Sequence, residues 1–189
     1  MKVVHVKDGE QRNACLARLC AEVYGQRAGL KPLLVFVGAR RVLFPQEGAR
    51  LLALIDNIGS PLALALLVLD EAGEGMTLSL SCSLDGTCNP EQRLVSDLVL
   101  KAPLRVEAQT TAEEDFFRSC GISRWFAGEA GARIGLGGRH PATSVAELEA
   151  TLEVDEKALL RRLKHDTKRF SEEKQCFVDS LEAFPHQLS

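Results

Sequence analysis

The hydrophobic period changes sharply once within residues 104–122. Leu104, Val106 and Ala108 alternate with Arg105, Glu107 and Gln109, a period of two that predicts a short strand. Thr110 then opens a Thr-x-x-Glu box with Glu113, repeated by Thr111 and Glu114, so a helix is predicted to start with its first amides satisfied by side chains. Ala112, Phe116 and Phe117 supply its apolar side, and Gly121 follows the last turn, where a left-handed residue stops a helix. The predicted unit is strand, polar turn, short capped helix, glycine stop and next strand.

The same reading extends along the chain. Residues 1–6 predict a first strand. Ala14, Cys15, Leu19 and Val23 recur at helical spacing, which predicts a helix over residues 11–26, punctuated by Gly25 and Gly29. Residues 31–44 carry two readings, because LLVFV has the look of a buried strand yet the element order described below favours a helix. Residues 50–56 and 61–70 flank a turn at 57–60 and predict a hairpin, with Pro61 at a strand start. LALALLVL is apolar at every position, as a central strand covered on both faces is. Over residues 76–85 the alternation is clean: Met76, Leu78, Leu80, Cys82 and Leu84 are expected on one face, with Thr77, Ser79, Ser81, Ser83 and Asp85 on the other. Next, Asn89 is expected to cap a helix that Pro90 begins, with Gln92 completing a box and Leu94, Val95, Leu98 and Val99 forming its buried side. A helix crossover makes the strands at 76 and 104 parallel. Residues 124–126 and 132–136 predict two final strands.

From Ser144 the pattern is helical. Ser144 and Glu147 open a short helix, and residues 155–184 form one long amphipathic helix or two successive ones. Leu163, Phe170, Phe177 and Phe184 fall on one stripe, with Leu160, Thr167, Lys174 and Leu181 in the partner positions. Thr167 and Lys174 break any coiled-coil seam, so docking on the preceding domain or pairing in a homodimer through these helices is expected. Arg161, Arg162, Lys164, His165, Lys168 and Arg169 read as a solvated face, offset by Glu172 and Glu173, and not as a nucleic-acid surface. The expected division is 1–140 for the main domain and 141–189 for a C-terminal helical extension.

Composition narrows the classes. A hydrophobic fraction of 46% supports a packed core and argues against disorder, and a net charge of −3 makes no general case for nucleic acid or an acidic membrane surface. The first residues do not read as a secretory signal, and the longest apolar run is too short to span a bilayer, so a cytoplasmic protein is expected. None of the six cysteines forms C-x-x-C, which fits buried thiols better than a zinc site or a disulfide framework; no metal is expected.

Over residues 45–140 the order meander, helix, parallel strand, helix, final strands resembles the GNAT (GCN5-related N-acetyltransferase) superfamily. Phe116-Phe117 stands where that family has an aromatic–Tyr pair, and Gly121-Ile122 where it has Gly-Phe. The resemblance implies an α/β (α+β) fold with a mixed, mostly antiparallel sheet flanked by helices. It implies transfer of an acetyl or acyl group from acetyl-CoA or another acyl-CoA to an amine of unknown identity. Donor contacts are then expected at Leu84, Gly86, Thr87, Cys88, Asn89, Gln92 and Phe117.

Two departures from the family pattern matter. The pyrophosphate signature Arg/Gln-x-x-Gly-x-Gly/Ala is replaced by Gly86-Thr87-Cys88-Asn89-Pro90-Glu91. Pro90 removes an amide donor, Asn89 is expected to occupy others as a cap, and Glu91 adds negative charge where a phosphate would sit. The tyrosine that many members use to protonate the leaving thiolate is matched by Phe117, and the single tyrosine of the chain is Tyr24 on the first helix. Asp85 is the candidate general base, with His5 a second. Cys82, Cys88 and Cys120 have no His or carboxylate at an interpretable spacing to activate them and read as core thiols. The alternative function is a GNAT-like domain without catalysis that acts as a protein-interaction or regulatory module.

Overall fold

The structure, a computed structural model, describes residues 1–188. Strand β1 (Lys2–His5) leads into α1 (Gly9–Tyr24) and α2 (Lys31–Gly38), which continues into wide π-helical turns over Ala39–Leu43. Strands β2 (Ala49–Ile55), β3 (Pro61–Leu69) and β4 (Met76–Ser83) form the meander. They are followed by α3 (Pro90–Lys101), β5 (Leu104–Ala108), α4 (Thr111–Ser119), β6 (Arg124–Ala127) and β7 (Arg133–Leu136). The chain finishes with α5 (Glu156–His165) and α6 (Thr167–Glu182). One sheet runs in the order β1-β2-β3-β4-β5-β7-β6, and β4–β5 is its parallel pair. This is the mixed, mostly antiparallel sheet expected, with the parallel pair where the α3 crossover demands it.

Helices cover both faces. On one side α1, α2, α5 and α6 close a core with Leu51, Leu64 and Leu66. On the other, α3 and α4 cover Leu54, Ala65 and Leu67. Strand β3 is apolar throughout because its alternate residues enter these two cores. The segment at 31–44 is helical: Leu33, Leu34, Phe36 and Val37 are all buried, and the half-buried Lys31 at one end and the exposed Arg41 and Val42 at the other leave LLVFV between them without a polar stripe to betray its period.

The clean alternation of β4 is misleading. A bulge at Ser79 sets Leu67 opposite Leu78 but Leu66 opposite Leu80. One extra residue in a strand reverses every side chain beyond it. Met76 and Leu78 therefore belong to the α3 core, and Leu80, Cys82 and Leu84 to the α1 core, instead of one shared face.

Around residues 110–121 the local prediction holds in detail. Thr110 accepts from the Glu113 amide at 3.2 Å, and the Glu113 carboxylate accepts from the Thr110 amide at 3.2 Å. Glu114 does not repeat the box; it binds Arg118 and Arg133 instead. Ala112 is exposed, so Phe116 and Phe117 alone hold α4 on its core, their rings edge to face at 5.4 Å.

The C-terminal helices number two, and the stripe of Leu163, Phe170, Phe177 and Phe184 packs on the α1–α2 core of the same chain. Phe177 meets Phe36 edge to face at 5.1 Å. Glu173 is not a solvated counter-charge. It is 1% exposed and pairs with Arg40 and, at 2.7 Å, with Arg41, both on the π-helical turns. The short helix at 144 is a single turn over Val145–Glu147, and Glu147 accepts from the Thr143 amide at 2.7 Å, not from Ser144.

Candidate functional site

The parallel pair is short. Hydrogen bonding between β4 and β5 covers Met76–Leu104 and Thr77–Arg105 and then stops, whereas β4 continues to Ser83. The β5-facing edge of β4 beyond the bulge has no partner strand, so its backbone groups face an opening in the sheet. Helix α3 begins at the mouth of that opening. A groove of about 370 Å³ lies there, lined by Ser83, Asp85, Gly86, Asn89, Pro90, Glu91, Gln92 and Phe116.

The loop into α3 is strained. Cys88 and Asn89 both take left-handed backbone angles, φ 60° and 47°, which cost about 1 kcal/mol or more each in non-glycine residues. In that conformation the Asn89 side chain makes no cap, which corrects the sequence expectation. Nor does Gln92 complete a box; its amide donates to Ser119 Oγ at 3.0 Å and ties α3 to α4. Among the described residues, the backbone amides of Gly86, Cys88, Asn89, Glu91 and Gln92 meet no protein acceptor. They form a cluster of donors at a helix start, strengthened by the helix dipole.

The side chains oppose those amides. Ser81 Oγ donates to Glu91 Oε1 at 2.6 Å, which swings the Glu91 carboxylate across from α3 to β4. Asp85 is the second carboxylate of the groove, and no Lys or Arg lines it. Asp85 is committed to the loop: Oδ1 accepts from the Thr87 amide at 3.1 Å and Oδ2 from Thr87 Oγ1 at 2.8 Å. Ser83 Oγ donates to the Asp85 carbonyl. Asp85 thus shapes the turn, with one acceptor site of each oxygen taken by Thr87.

The other expected donor contacts separate into groups. Gly86, Asn89 and Gln92 come together in the groove, beside the candidate base Asp85. Thr87 and Cys88 are exposed and do not line the groove; Cys88, on a loop with a left-handed backbone, is thus not the core thiol expected, unlike Cys82 and Cys120. Leu84 turns its side chain to the α1 core, and its amide donates to the Leu62 carbonyl at 2.8 Å. Phe117 packs into the α3–α4 core, and it is Phe116 that borders the groove. Ser81, Ser83 and Phe116 escaped the sequence reading. The serines stood on the polar side of an alternation whose reversal at Ser79 has no sequence mark. His5 is on edge strand β1, three strands away from β4 in the sheet, beside a separate hollow that includes Lys7, Asp8 and Gln11. Its pKa is lowered by burial and then by Lys7, Arg50 and Arg12.

A second cavity, about 310 Å³, lies on the opposite face of β4 at the bulge. Ser79, Tyr24 and Lys31 supply polar groups, and Leu34, Leu66 and Val68 supply apolar wall. Burial, then the neighbouring Cys20 and Glu156, push the Tyr24 phenol above its ordinary pKa. Residues 150–156 form a strap along this cavity. The Leu152 amide donates to the Leu69 carbonyl at 2.9 Å, Thr151 Oγ1 meets Thr77 Oγ1 at 2.7 Å, and Lys31 Nζ binds Glu156 at 2.6 and 2.8 Å. A Cβ on Gly48 would stand 2.7 Å from Leu152 Cδ1, and one on Gly38 2.8 Å from Val154 Cγ1, so these two glycines give the strap its seat.

Cys15, Cys20 and Cys82 are buried, and burial raises each thiol to about 12, which removes the thiolate a nucleophile needs. Among the described residues no cluster of His, Cys, Asp or Glu is placed to hold a metal ion, and no helix is long and apolar enough to cross a membrane.

No family model matches the chain, and no curated protein does. Solved structures do. The aminoglycoside 6'-N-acetyltransferase from Enterococcus faecium is 12% identical with a TM-score of 0.48, over 72% of this chain and 95% of that one. A chimeric spermidine N-acetyltransferase from Vibrio cholerae is 8% identical at TM-score 0.49, over 71% and 92%. The spermidine N-acetyltransferase from Vibrio cholerae in complex with CoA and spermine is 9% identical at TM-score 0.43, over 74% and 96%. At such identities and TM-scores a likeness assigns no activity to this chain.

Proposed function

We propose that the protein is a thioester-dependent N-acyltransferase, with an acyl-CoA as the donor the family resemblance implies and an amine as acceptor. The observation that carries this reading is the early parting of β4 from β5, with unpaired strand edge along the opening and free amides at its mouth. An extended amide-containing arm can pair with such an edge as a strand does. The thioester would then lie near the Ser79 bulge, and the second cavity would bring the amine to the same strand from the other face. Transfer forms a C–N bond and breaks the C–S bond; the proton lost by the amine nitrogen ends on the departing sulfur, which leaves as the thiol. Phe117 has no proton to give, so alignment of amine and thioester is the main source of rate, as proximity alone can be.

A second reading has its own support. Two carboxylates and no cation line the groove, as expected of a domain that has lost catalysis and serves as an interaction module. Titration with millimolar acetyl-CoA, followed by calorimetry and thermal shift, separates the two. A ligand at about 100 times its Kd stabilises the fold by roughly 2.7 kcal/mol, or about 5–10 °C in a chain of this length. Absence of both heat and shift would sink the transferase reading and leave the module.

A further inference from the structure

The charges of the α3 groove say which part of a thioester donor this site recognises. Phosphate sites at helix starts join free amides to a cation or to a carboxylate-free loop. Here the amides are free, but Glu91 and Asp85 face the same space, Pro90 has removed one donor, and no Lys or Arg compensates. Glu91 is also held in place, since Ser81 Oγ binds its carboxylate at 2.6 Å. A pyrophosphate drawn into this groove gains amide hydrogen bonds and meets two like charges. Further in, the conditions reverse. The opening beside β4 offers the unpaired backbone groups of the strand edge, with Ser83 and the half-buried Phe116 ring at its border; the Ser81 and Ser83 protons are already given to Glu91 and to the Asp85 carbonyl. Those are partners for a neutral chain of amides and methylenes.

We infer that the donor is held by its pantetheine arm and that its nucleotide end contributes nothing to affinity, so the substrate class is the pantetheine thioester. This rests on the transferase reading and narrows it. Acetyl-CoA is one member of the class. Free acyl-pantetheine and the acylated phosphopantetheinyl arm of a carrier protein are the members whose charge the groove suits better.

Calorimetric titration with CoA and with pantetheine, each at low and high salt, tests the inference without requiring turnover. The two ligands are expected to bind within about threefold of each other, and CoA binding should hold or tighten as salt screens Glu91 and Asp85. Glu91→Gln, which keeps a hydrogen-bonding partner for Ser81, should tighten CoA by roughly fivefold or more and leave pantetheine unchanged, because a unit charge about 4 Å from a phosphate is worth that much even when fully screened by bulk water. CoA binding tenfold or more tighter than pantetheine, or weakening steeply with salt, overturns the inference and leaves the transferase reading standing. Failure of both ligands to bind removes the reading itself, and the inference with it. Acetyl-pantetheine and an acetylated carrier protein are then compared as donors to a panel of primary amines by thiol release. The higher kcat/KM identifies the source, and acetyl-CoA exceeding both by about tenfold counts as refutation.

Discussion

Removal of the Glu173 carboxylate should unfold the protein's C-terminal anchor at a cost that its burial sets. Glu173 is 1% exposed on α6, Arg40 16% and Arg41 53%. Arg40 Nε already lacks an acceptor, so Glu173→Ala leaves a largely buried guanidinium with only the Phe36 ring, at 5.4 Å, as a partner. Breaking a buried pair from one side costs about 3–5 kcal/mol. In a chain of this length that lowers Tm by roughly 6–20 °C. Arg41→Ala should cost no more than about 1 kcal/mol, because Arg41 is half in water and its pairing is screened. Arg40→Met combined with Glu173→Leu should return to within about 2 kcal/mol of the parent, since an apolar replacement removes the uncompensated charge. Thermal and urea melts of the four proteins at neutral pH give the comparison. If Glu173→Ala melts within about 2 °C of the parent in one cooperative transition, the carboxylate is solvated and α6 is not held as described. A separate early transition would instead show α5 and α6 unfolding as a unit of their own.

Two further outcomes follow from titratable groups. Burial and then Arg124 hold His140 below its usual 6.5, against the opposing pull of Asp70, and its Nδ1 accepts from the Ala142 amide at 3.2 Å. The unfolded chain therefore binds the proton more readily, so the stability His140 contributes is complete above pH 6.5 and is lost as pH falls below it; relative to His140→Asn, the parent's urea midpoint should drop more between pH 7.5 and 5.0, and equal slopes would refute the assignment. Iodoacetamide at pH 8 should modify the exposed Cys88 quickly and spare Cys15, Cys20 and Cys82, whose thiols burial raises to about 12; rapid labelling of those three in folded protein would contradict their placement.

Much of this fold is written in local signals. The box of Thr110 and Glu113 and the alternation at 104–108 follow from residues close in sequence, and the apolar run of β3 and the helix between β4 and β5 are patterns legible along one segment; the structure forms each of these as read. The stripe of Leu163, Phe170, Phe177 and Phe184 announced a face to be covered, because burying such side chains is worth roughly 1.5–3 kcal/mol each. Sequence also showed that the α3 loop lacks a phosphate signature, since that depends only on which residues are present.

Tertiary structure decided the rest. Residues 31–44 carried both a strand and a helix reading because LLVFV, apolar at every position, has no polar period to choose between them. Asn89 had the composition of a cap but a left-handed backbone, imposed by the loop that joins β4 to α3. Glu173 looked like a solvent charge until Arg40 and Arg41, distant in sequence, met it in the interior. The bulge at Ser79 had the largest effect on the site. A one-residue slip in pairing leaves the alternation of β4 intact in sequence, yet it sends Leu80 and Cys82 to one core and Ser81 toward Glu91. Register is a property of two strands, and no single strand's pattern contains it.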